Sequence, residues 1–266
     1  MTSNSIFNAL ADIVSSAKRY PLVGMLGWAD IKQRYRRSRL GAFWLTVSMG
    51  VMIASIGLVF GQIFNTPMQE YLPFLALGIV LWGFISSNVT EGCVAFTSAE
   101  AIIKQLNIPL FVHVLRCFWR NFIVLGHNIV IIPIVFLIVG KPLTLTMLLF
   151  VPGIILLSIN LLWISLVLGV LSTRFRDITQ IIVNATQVVF YLTPIMWAPS
   201  LLPSRHAAYL LNLNPIYHLL EITRGPVLGT TPAAESWIFS IAMAVIGWLV
   251  AIVIYNRYMR RIPYWL

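Results

Sequence analysis

The sequence predicts an all-α integral membrane protein with six transmembrane helices, an amphipathic interface helix before them and re-entrant extracytoplasmic helices between the fifth and the sixth. Three observations carry this prediction. Hydrophobic residues make up 59% of the 266 residues and charged residues only 10%, whereas soluble domains carry roughly a quarter charged residues. Apolar runs of about twenty residues, the length that crosses a bilayer, follow one another along the chain. Lysines and arginines gather beside these runs, where they contact lipid headgroups.

Six apolar runs define the predicted spans, at 42–64, 71–90, 112–139, 143–171, 178–197 and 237–256. Six crossings bring both termini to the same side of the membrane. Of the 18 lysines and arginines, all but Lys141, Arg205 and Arg224 fall on that side. Because basic flanks stay in the cytoplasm, both termini are predicted to be cytoplasmic. The net charge of +10 thus belongs to membrane flanks, and no nucleic-acid partner is predicted.

Residues 1–41 are predicted to form an N-terminal interfacial segment ahead of a permease domain at 42–266. Within this segment, residues 5–17 place apolar side chains such as Leu10 and Ile13 at helical spacing on one face. An amphipathic helix followed by basic residues is typical of a helix that lies in the membrane interface. Packing of its apolar face against another protein chain is the alternative.

A cytoplasmic loop at about 91–111 is predicted to connect the second and third spans. Thr97 and Glu100 have the spacing of a capping box, which predicts that a short helix begins there. Its apolar Ile102 and Ile103 would stand exposed and fit a groove in another protein. A helix that lies on the membrane without a partner is the alternative.

The segment at about 198–236, between the fifth and sixth spans, is too long for a turn, remains apolar in parts and is interrupted by prolines. Irregular backbone at membrane depth is tolerated only against protein or a water-filled cavity. Short re-entrant helices that enter from the extracytoplasmic side fit this pattern. A plain extracellular loop is the alternative.

No residue pattern for catalysis, ATP binding or metal binding is found. The chain lacks the G-x-x-x-x-G-K-[ST] loop that cradles phosphates, and its four histidines have no Cys or carboxylate at ligand spacing. Nearly all of its eight acidic residues fall outside the predicted bilayer core, whereas a proton-coupled carrier needs carboxylates within its spans. We therefore predict a transporter subunit, not an enzyme, with no catalytic residue, metal or cofactor of its own.

Four segments, in order along the chain, resemble ABC-type polysaccharide export permeases, the exporters of O-antigen, capsule and teichoic acid. The block from Asp30 to Trp44, DIKQRYRRSRLGAFW, resembles the entry to their first span. The stretch from Ile102 to Pro109 is similar to their loop after the second span, and 174–177 (RFRD) to the basic loop after the fourth. Asn214 and Pro215, together with Glu221 and Arg224, resemble the re-entrant stretch before the last span of these permeases.

The resemblance implies a homodimer bound to two copies of a cytoplasmic ABC ATPase subunit, which would bind ATP and magnesium. It implies the bacterial inner membrane, contacts with membrane lipids, and a lipid-linked glycan as substrate, with the O-antigen of lipopolysaccharide preferred. The loop that receives the ATPase's motion would include Thr97, Glu100, Ile102, Ile103 and Lys104. The gate at the outer end would include Asn214, Pro215, Glu221 and Arg224.

Physical chemistry adds candidate substrate contacts near the first and fifth spans. Guanidinium groups suit phosphate oxygens, so a substrate pyrophosphate is expected at Arg34, Arg36, Arg37 and Arg39, whose alternative role is to anchor the topology. Aromatic rings can stack on sugar faces. The glycan path is therefore expected at Tyr35, Phe43, Trp44, Phe190 and Tyr191, for which lipid contact or packing is the alternative.

Three other functions share parts of this pattern. The first is export of capsular polysaccharide or teichoic acid, and the second is export of another substrate by an ABC permease of the same architecture. The third is an integral membrane transferase that acts on lipid-linked sugars. A transferase would cluster acids or histidines at one membrane face, and the sequence has no such cluster.

Overall fold

The computed structural model describes residues 5–36, 41, 43–199 and 211–266, and every regular element within them is helical. The predicted all-α class is confirmed for this part of the chain. Short 3-10 turns precede α5 (Thr97–Ala99) and α8 (Leu145–Leu149). The α-helices are α1 (Ser5–Lys18), α2 (Tyr20–Arg34), α3 (Phe43–Ile63), α4 (Met68–Cys93), α5 (Glu100–Gln105), α6 (Phe111–Asn128), α7 (Ile131–Val139), α8 (Phe150–Arg174), α9 (Asp177–Leu192), α10 (Pro215–Leu228), α11 (Ala234–Tyr258) and α12 (Ile262–Trp265).

Five stretches of the described chain are long and apolar enough to cross a bilayer. They comprise α3, α4, Phe111–Val139 with α6 and α7, Leu145–Arg174 with α8, and Ala234–Trp265 with α11. Their bounds agree with five of the six predicted spans to within a few residues, apart from the longer C-terminal end of the last stretch. The remaining predicted span, 178–197, coincides with α9, which has 16 residues.

The early end of α9 follows from a proline two residues beyond Leu192. Thr193 has extended backbone, with φ −95° and ψ 138°. A proline ring imposes this conformation on the residue before it, because the helical alternative brings the ring against that residue. The helix therefore stops before Pro194, and the chain turns inward through Ile195, which is buried.

The ends of α7 and α10 are fixed by residues suited to helix termini. Gly140 ends α7 with φ 69°, and Gly229 ends α10 with φ 88°, a backbone conformation that favours glycine. Asn214 begins α10, and its side-chain oxygen accepts hydrogen bonds from the Ile216 and Tyr217 amides, as an N-cap does. Pro215 occupies the first turn, where its missing N–H costs nothing.

The most enclosed span is α4, and the least enclosed is α3. Of the apolar window in each helix, 61% is buried in α4 but 17% in α3. Glycines bring the neighbours close: Gly92 of α4 lies against Ser165 of α8, and Gly57 of α3 lies against Leu72 of α4. No residue of α9 is buried, so α3 and α9 both present uncovered faces.

The helix bundle has two ends, which we call basal and distal. At the basal end, α1, α2, the chain between α4 and α6, and the C-terminus of α11 meet. At the distal end, α10 contacts the segment that follows α9. In α1, Ala9 and Ser16 are buried against the protein's own helices, while Leu10 and Val14 are 40% and 50% exposed. The amphipathic helix therefore packs on its own chain and leaves part of its apolar face uncovered.

Candidate functional site

A short helix forms between α4 and α6, as predicted, but its first turn differs from the prediction. α5 begins at Glu100, after a 3-10 turn, and no side chain caps it. The Thr97 hydroxyl donates to the Val94 carbonyl at 3.2 Å, and Lys104 Nζ donates to Glu100 Oε1 at 2.6 Å. The predicted capping box is therefore wrong, because Thr97 sits in a 3-10 turn and not in the extended conformation of an N-cap. The hydrogen bond from Lys104 lowers the pKa of Glu100.

The surface around α5 combines apolar side chains with an open groove. Ile102 and Ile103 are half-buried, and Leu106 is 54% exposed. A groove of about 650 Å³ runs along the chain from Ile103 to Leu110, with Asp12 of α1 and Met259 among its lining residues. The basal end thus presents α5 beside a groove to which α1 and the C-terminal region also contribute.

Asp12 joins three helices at this groove. Its carboxylate accepts hydrogen bonds from the backbone amides of Leu110 and Phe111, at 3.1 and 3.0 Å. It also accepts one from the Tyr255 hydroxyl at 2.6 Å. The amides belong to the start of α6 and the hydroxyl to the end of α11. The sequence did not predict this site, although it contains one signal of it: Asp12 is the one charged residue of the amphipathic stretch 5–17.

A second polar cluster at the basal end connects α2, α4 and α6 through ion pairs. Asp30 pairs with Arg116, in a two-pronged contact, and with Arg120 at 3.0 Å. Glu91 pairs with Arg120 at 2.6 Å and with Arg34 at 3.2 Å. Three arginines therefore share two carboxylates. We name these five residues the basal ion-pair network.

Burial and charge act in opposite directions on Asp30. Partial burial alone would raise its pKa, but hydrogen bonds and charge from Arg116 and Arg120 outweigh that effect and hold the pKa below its usual value. The spacing of the two arginines places both on one face of α6. Nothing local in the sequence identifies Asp30, 86 residues before Arg116, as their partner.

The predicted phosphate-binding arginines have different surroundings. Arg34 ends α2, and its side chain is 51% exposed although it pairs with Glu91. Arg36 is exposed. Arg37 and Arg39 lie outside the described residues. Arg34 is thereby brought next to Arg120, because both contact Glu91.

The predicted glycan-path aromatics divide into exposed and packed rings. Phe43 and Trp44 at the start of α3 are 55% and 54% exposed, and Tyr191 at the end of α9 is 72% exposed. Tyr35 is half-buried. Phe190 is also half-buried, and its ring packs against Trp82 of α4 with centroids 5.6 Å apart. Packing, the alternative considered from sequence, accounts for the position of Phe190.

Polar side chains line the uncovered faces of α3 and α9. On α3 they lie seven residues apart, at Ser48, Ser55 and Gln62, and all three are exposed. On α9 the exposed members are Gln180, Asn184 and Gln187, with Gln180 Nε2 donating to Asn184 Oδ1 at 3.2 Å. An unpaired amide in hydrocarbon costs several kcal/mol. The Ser48 and Ser55 hydroxyls are satisfied by carbonyls of their own helix, at 3.0 and 2.8 Å. It is therefore the side-chain amides on these faces, at Gln62 and on α9, that favour water, polar groups or another protein surface over lipid.

The four predicted gate residues lie on α10 or at its start, at the distal end. Asn214 Nδ2 donates to the Thr193 hydroxyl at 2.9 Å. Arg224 is 2% exposed, donates to the Pro194 carbonyl at 2.6 Å and lies over the Phe74 ring at 4.1 Å. The Glu221 carboxylate is 3.7 Å from Arg224, and Pro215 begins the helix that carries both. Asn214 and Arg224 thus contact adjacent residues of the segment after α9, part of which (200–210) lies outside the described residues.

Metal-binding groups do not assemble in the part of the chain that the structure describes. No three His, Cys, Asp or Glu side chains lie close enough there to hold a metal ion. The polar groups instead form ion pairs, helix caps and uncovered stripes on long apolar helices. These features define a multi-pass helical membrane protein whose polar residues connect its helices and line the uncovered faces of α3 and α9.

The family of the chain follows from its sequence relatives. Residues 21–228 match the model of the ABC-2 type transporter family, and because the match covers most of the chain, the chain belongs to this family. It is therefore the membrane subunit of a transporter rather than an enzyme.

Three similar proteins bear the name O-antigen export system permease protein RfbA. Two, from Klebsiella pneumoniae, are 25% and 24% identical over 236 and 227 residues. These alignments cover 86% and 82% of this chain and 88% and 86% of the relatives. One from Myxococcus xanthus is 23% identical over 197 residues, 72% of this chain and 74% of the relative. The similarity thus extends over most of each protein.

Proposed function

We propose that this chain is the permease of an ABC transporter that exports a lipid-linked polysaccharide, most specifically an O-antigen, across the bacterial inner membrane. It acts as a homodimer bound to two copies of a cytoplasmic ATPase subunit, which binds ATP and magnesium. The observation that carries the proposal is the pair of exposed polar stripes on α3 and α9. The O-antigen export permeases among its relatives support the choice of substrate class.

The polar stripes fit a water-filled path for a sugar polymer. Hydroxyl and amide groups such as Ser55 and Asn184 hydrogen-bond to sugar hydroxyls, and they tolerate many sugars because each can donate and accept. One copy leaves the stripes uncovered, so a second copy is needed to exclude lipid from them. The exposed rings of Phe43, Trp44 and Tyr191 add apolar surfaces for sugar faces beside this path.

Six crossings are supported by the meeting of the chain ends. The bond between Asp12 and Tyr255 holds α1 beside the C-terminal end of α11, so an even number of crossings separates them. The five long spans account for five crossings, so α9 has to supply the sixth. In this arrangement α10 enters from the distal end as a re-entrant helix. The concentration of lysine and arginine at the basal flanks supports a cytoplasmic basal end, with residues 1–41 as an interfacial segment on the permease domain 42–266.

The basal end supplies candidate contacts for the substrate and the ATPase. Arg34 and Arg36, continued by Arg37 and Arg39, offer guanidinium groups to a pyrophosphate at the membrane surface. The pairing of Arg34 with Glu91 is exposed enough for the pyrophosphate, which carries two negative charges in all, to replace the carboxylate. The ATPase is received by α5 and its neighbours, which comprise Thr97, Glu100, Ile102, Ile103 and Lys104.

The test replaces the amides of α9. Permease and ATPase would be reconstituted in proteoliposomes with a fluorescent polyprenyl-pyrophosphate oligosaccharide. Asn184→Leu with Gln187→Leu is expected to lower the export rate about tenfold, by removing two hydrogen-bonding groups of roughly 0.5–1.5 kcal/mol each. ATPase binding should be unchanged. The control is Ile181→Leu, an exposed apolar position on the same helix. Export by the double variant at the wild-type rate would exclude α9 from the path.

A further inference from the structure

The hydrogen bonds of Asp12 connect α1 to parts of the chain that are far apart in sequence. Helix N-termini are usually capped by a residue directly before the helix, whereas the first amides of α6 are capped from 98 and 99 residues earlier. The same carboxylate holds Tyr255, 243 residues away. The position of the start of α6 therefore depends on α1 and on the end of α11 together.

The Asp12 carboxylate also lies close to the short connection between α5 and α6. Only residues 106–110 separate α5 from α6, and Asp12 lines the groove that they form. Through this short connection a displacement of α5 would reach Leu110, and the two hydrogen bonds at Leu110 and Phe111 would pass it to Asp12. The rings of Phe111 and Trp248 meet edge to face, with centroids 6.1 Å apart. The start of α6 therefore also contacts α11 two turns before Tyr255.

The opposite end of α11 reaches the distal helix α10. Ser236 Oγ and His218 Nδ1 share a hydrogen bond of 3.0 Å. The His218 ring stacks on Phe239 with centroids 4.3 Å apart. Thus α11 touches Asp12 near its last turn and α10 near its first turns. A single continuous helix connects the two ends of the bundle.

We propose that Asp12 and Tyr255 are positioning residues that transmit ATP-driven displacement of α5 through α11 to α10. The inference rests on the proposed function, because it assumes that a partner ATPase acts on α5. In this arrangement the Tyr255 hydroxyl is one point at which the displacement enters α11, beside the contact between the Phe111 and Trp248 rings. Removing that hydroxyl separates ATP hydrolysis from movement at the distal end, while the hydrogen bonds from the Leu110 and Phe111 amides to Asp12 remain.

The diagnostic variant is Tyr255→Phe, which removes one hydroxyl and keeps the buried ring. The matched control is Tyr258→Phe, a half-buried tyrosine on the next turn whose ring packs against Trp265. Glycan exported per ATP hydrolysed is measured in proteoliposomes with the fluorescent polyprenyl-pyrophosphate oligosaccharide. Tyr255→Phe should lower this ratio about fivefold or more, a typical coupling between distant sites, with ATP hydrolysis retained. Tyr258→Phe should leave it unchanged. An unaltered ratio in Tyr255→Phe overturns the proposal.

A second measurement does not depend on the glycan. Spin labels at Asn212 and Thr231, which are exposed near the two ends of α10, report distances across the distal end before and after trapping of the ATPase with ADP and vanadate. Trapping should shift these distances in the wild type and in Tyr258→Phe but not in Tyr255→Phe. A full shift in Tyr255→Phe rejects the coupling role. If wild type shows the shift but exports none of the oligosaccharide, the proposed substrate fails while the coupling role is still tested.

Discussion

The basal ion-pair network and the distal Arg224 hold cations in this apolar protein in two different ways. At the basal end, three arginines share Asp30 and Glu91, and the polar distances given above are 3.2 Å or less. At the distal end, Arg224 is 2% exposed, has its carboxylate partner 3.7 Å away and is held by a carbonyl oxygen and a ring.

At the basal end several partly exposed ion pairs connect the same helices, whereas at the distal end one buried arginine makes the connection alone. When one basal ion pair is lost, the remaining pairs still connect the helices. Partial exposure also lets water replace a lost partner. Arg224 has no such substitute, because it is only 2% exposed and its contacts join three separate parts of the chain. We therefore expect single substitutions to be costly at the distal end and graded at the basal end.

The largest effect is expected from Arg224→Ala. It leaves a cavity of side-chain size and an unsatisfied Pro194 carbonyl, which together cost about 3 kcal/mol or more. The measurement is the apparent melting temperature of the purified protein in detergent. The control is Arg257→Ala, which removes an exposed arginine from α11. Equal melting temperatures for the two variants would contradict the distinction between the two ends.

A smaller effect is expected when the basal ion-pair network is broken at its centre. Arg120→Met removes the pairings with both Asp30 and Glu91, for a loss of about 1–3 kcal/mol. Arg34→Met removes only the half-exposed pairing with Glu91 and should cost about 1 kcal/mol or less. The same melting assay compares the two. A larger loss from Arg34→Met would show that exposure does not govern this network.

The smallest effect concerns pH. Because the pKa of Asp30 is lower in the folded protein than its ordinary value of 3.8, its charge stabilises the fold fully above that value. This stabilisation is lost as the pH falls toward the folded pKa. The difference in melting temperature between wild type and Asp30→Asn should stay constant from about pH 8 to 5 and shrink below about pH 4. A difference that shrinks near neutral pH would point to another titrating group.

The spans could be predicted from sequence because their signal is local. The run at 112–139 matches Phe111–Val139, since length and apolar composition suffice to define a helix in a bilayer. The shortened α9 had a local signal too, in Pro194. The capping box failed because Thr97 and Glu100 fit a spacing rule while the backbone between them follows a 3-10 turn.

The polar connections could not be predicted because they depend on tertiary packing. Asp12 and Tyr255 are 243 residues apart, and no pattern along the chain relates them. The same holds for Asp30 and Arg116. By contrast, the distal residues Asn214 and Arg224 were singled out by resemblance, which did not predict their contacts with Thr193 and Pro194.

Gly153 has a consequence for how the distal end can open. A Cβ atom there would collide with the Ile222 carbonyl, so the backbones of α8 and α10 lie in direct contact, with no side chain of α8 between them at that point. Helices seated this closely have no room to slide independently. We therefore expect α8 and α10 to move together, so that a displacement delivered to α10 through α11 would carry α8 with it.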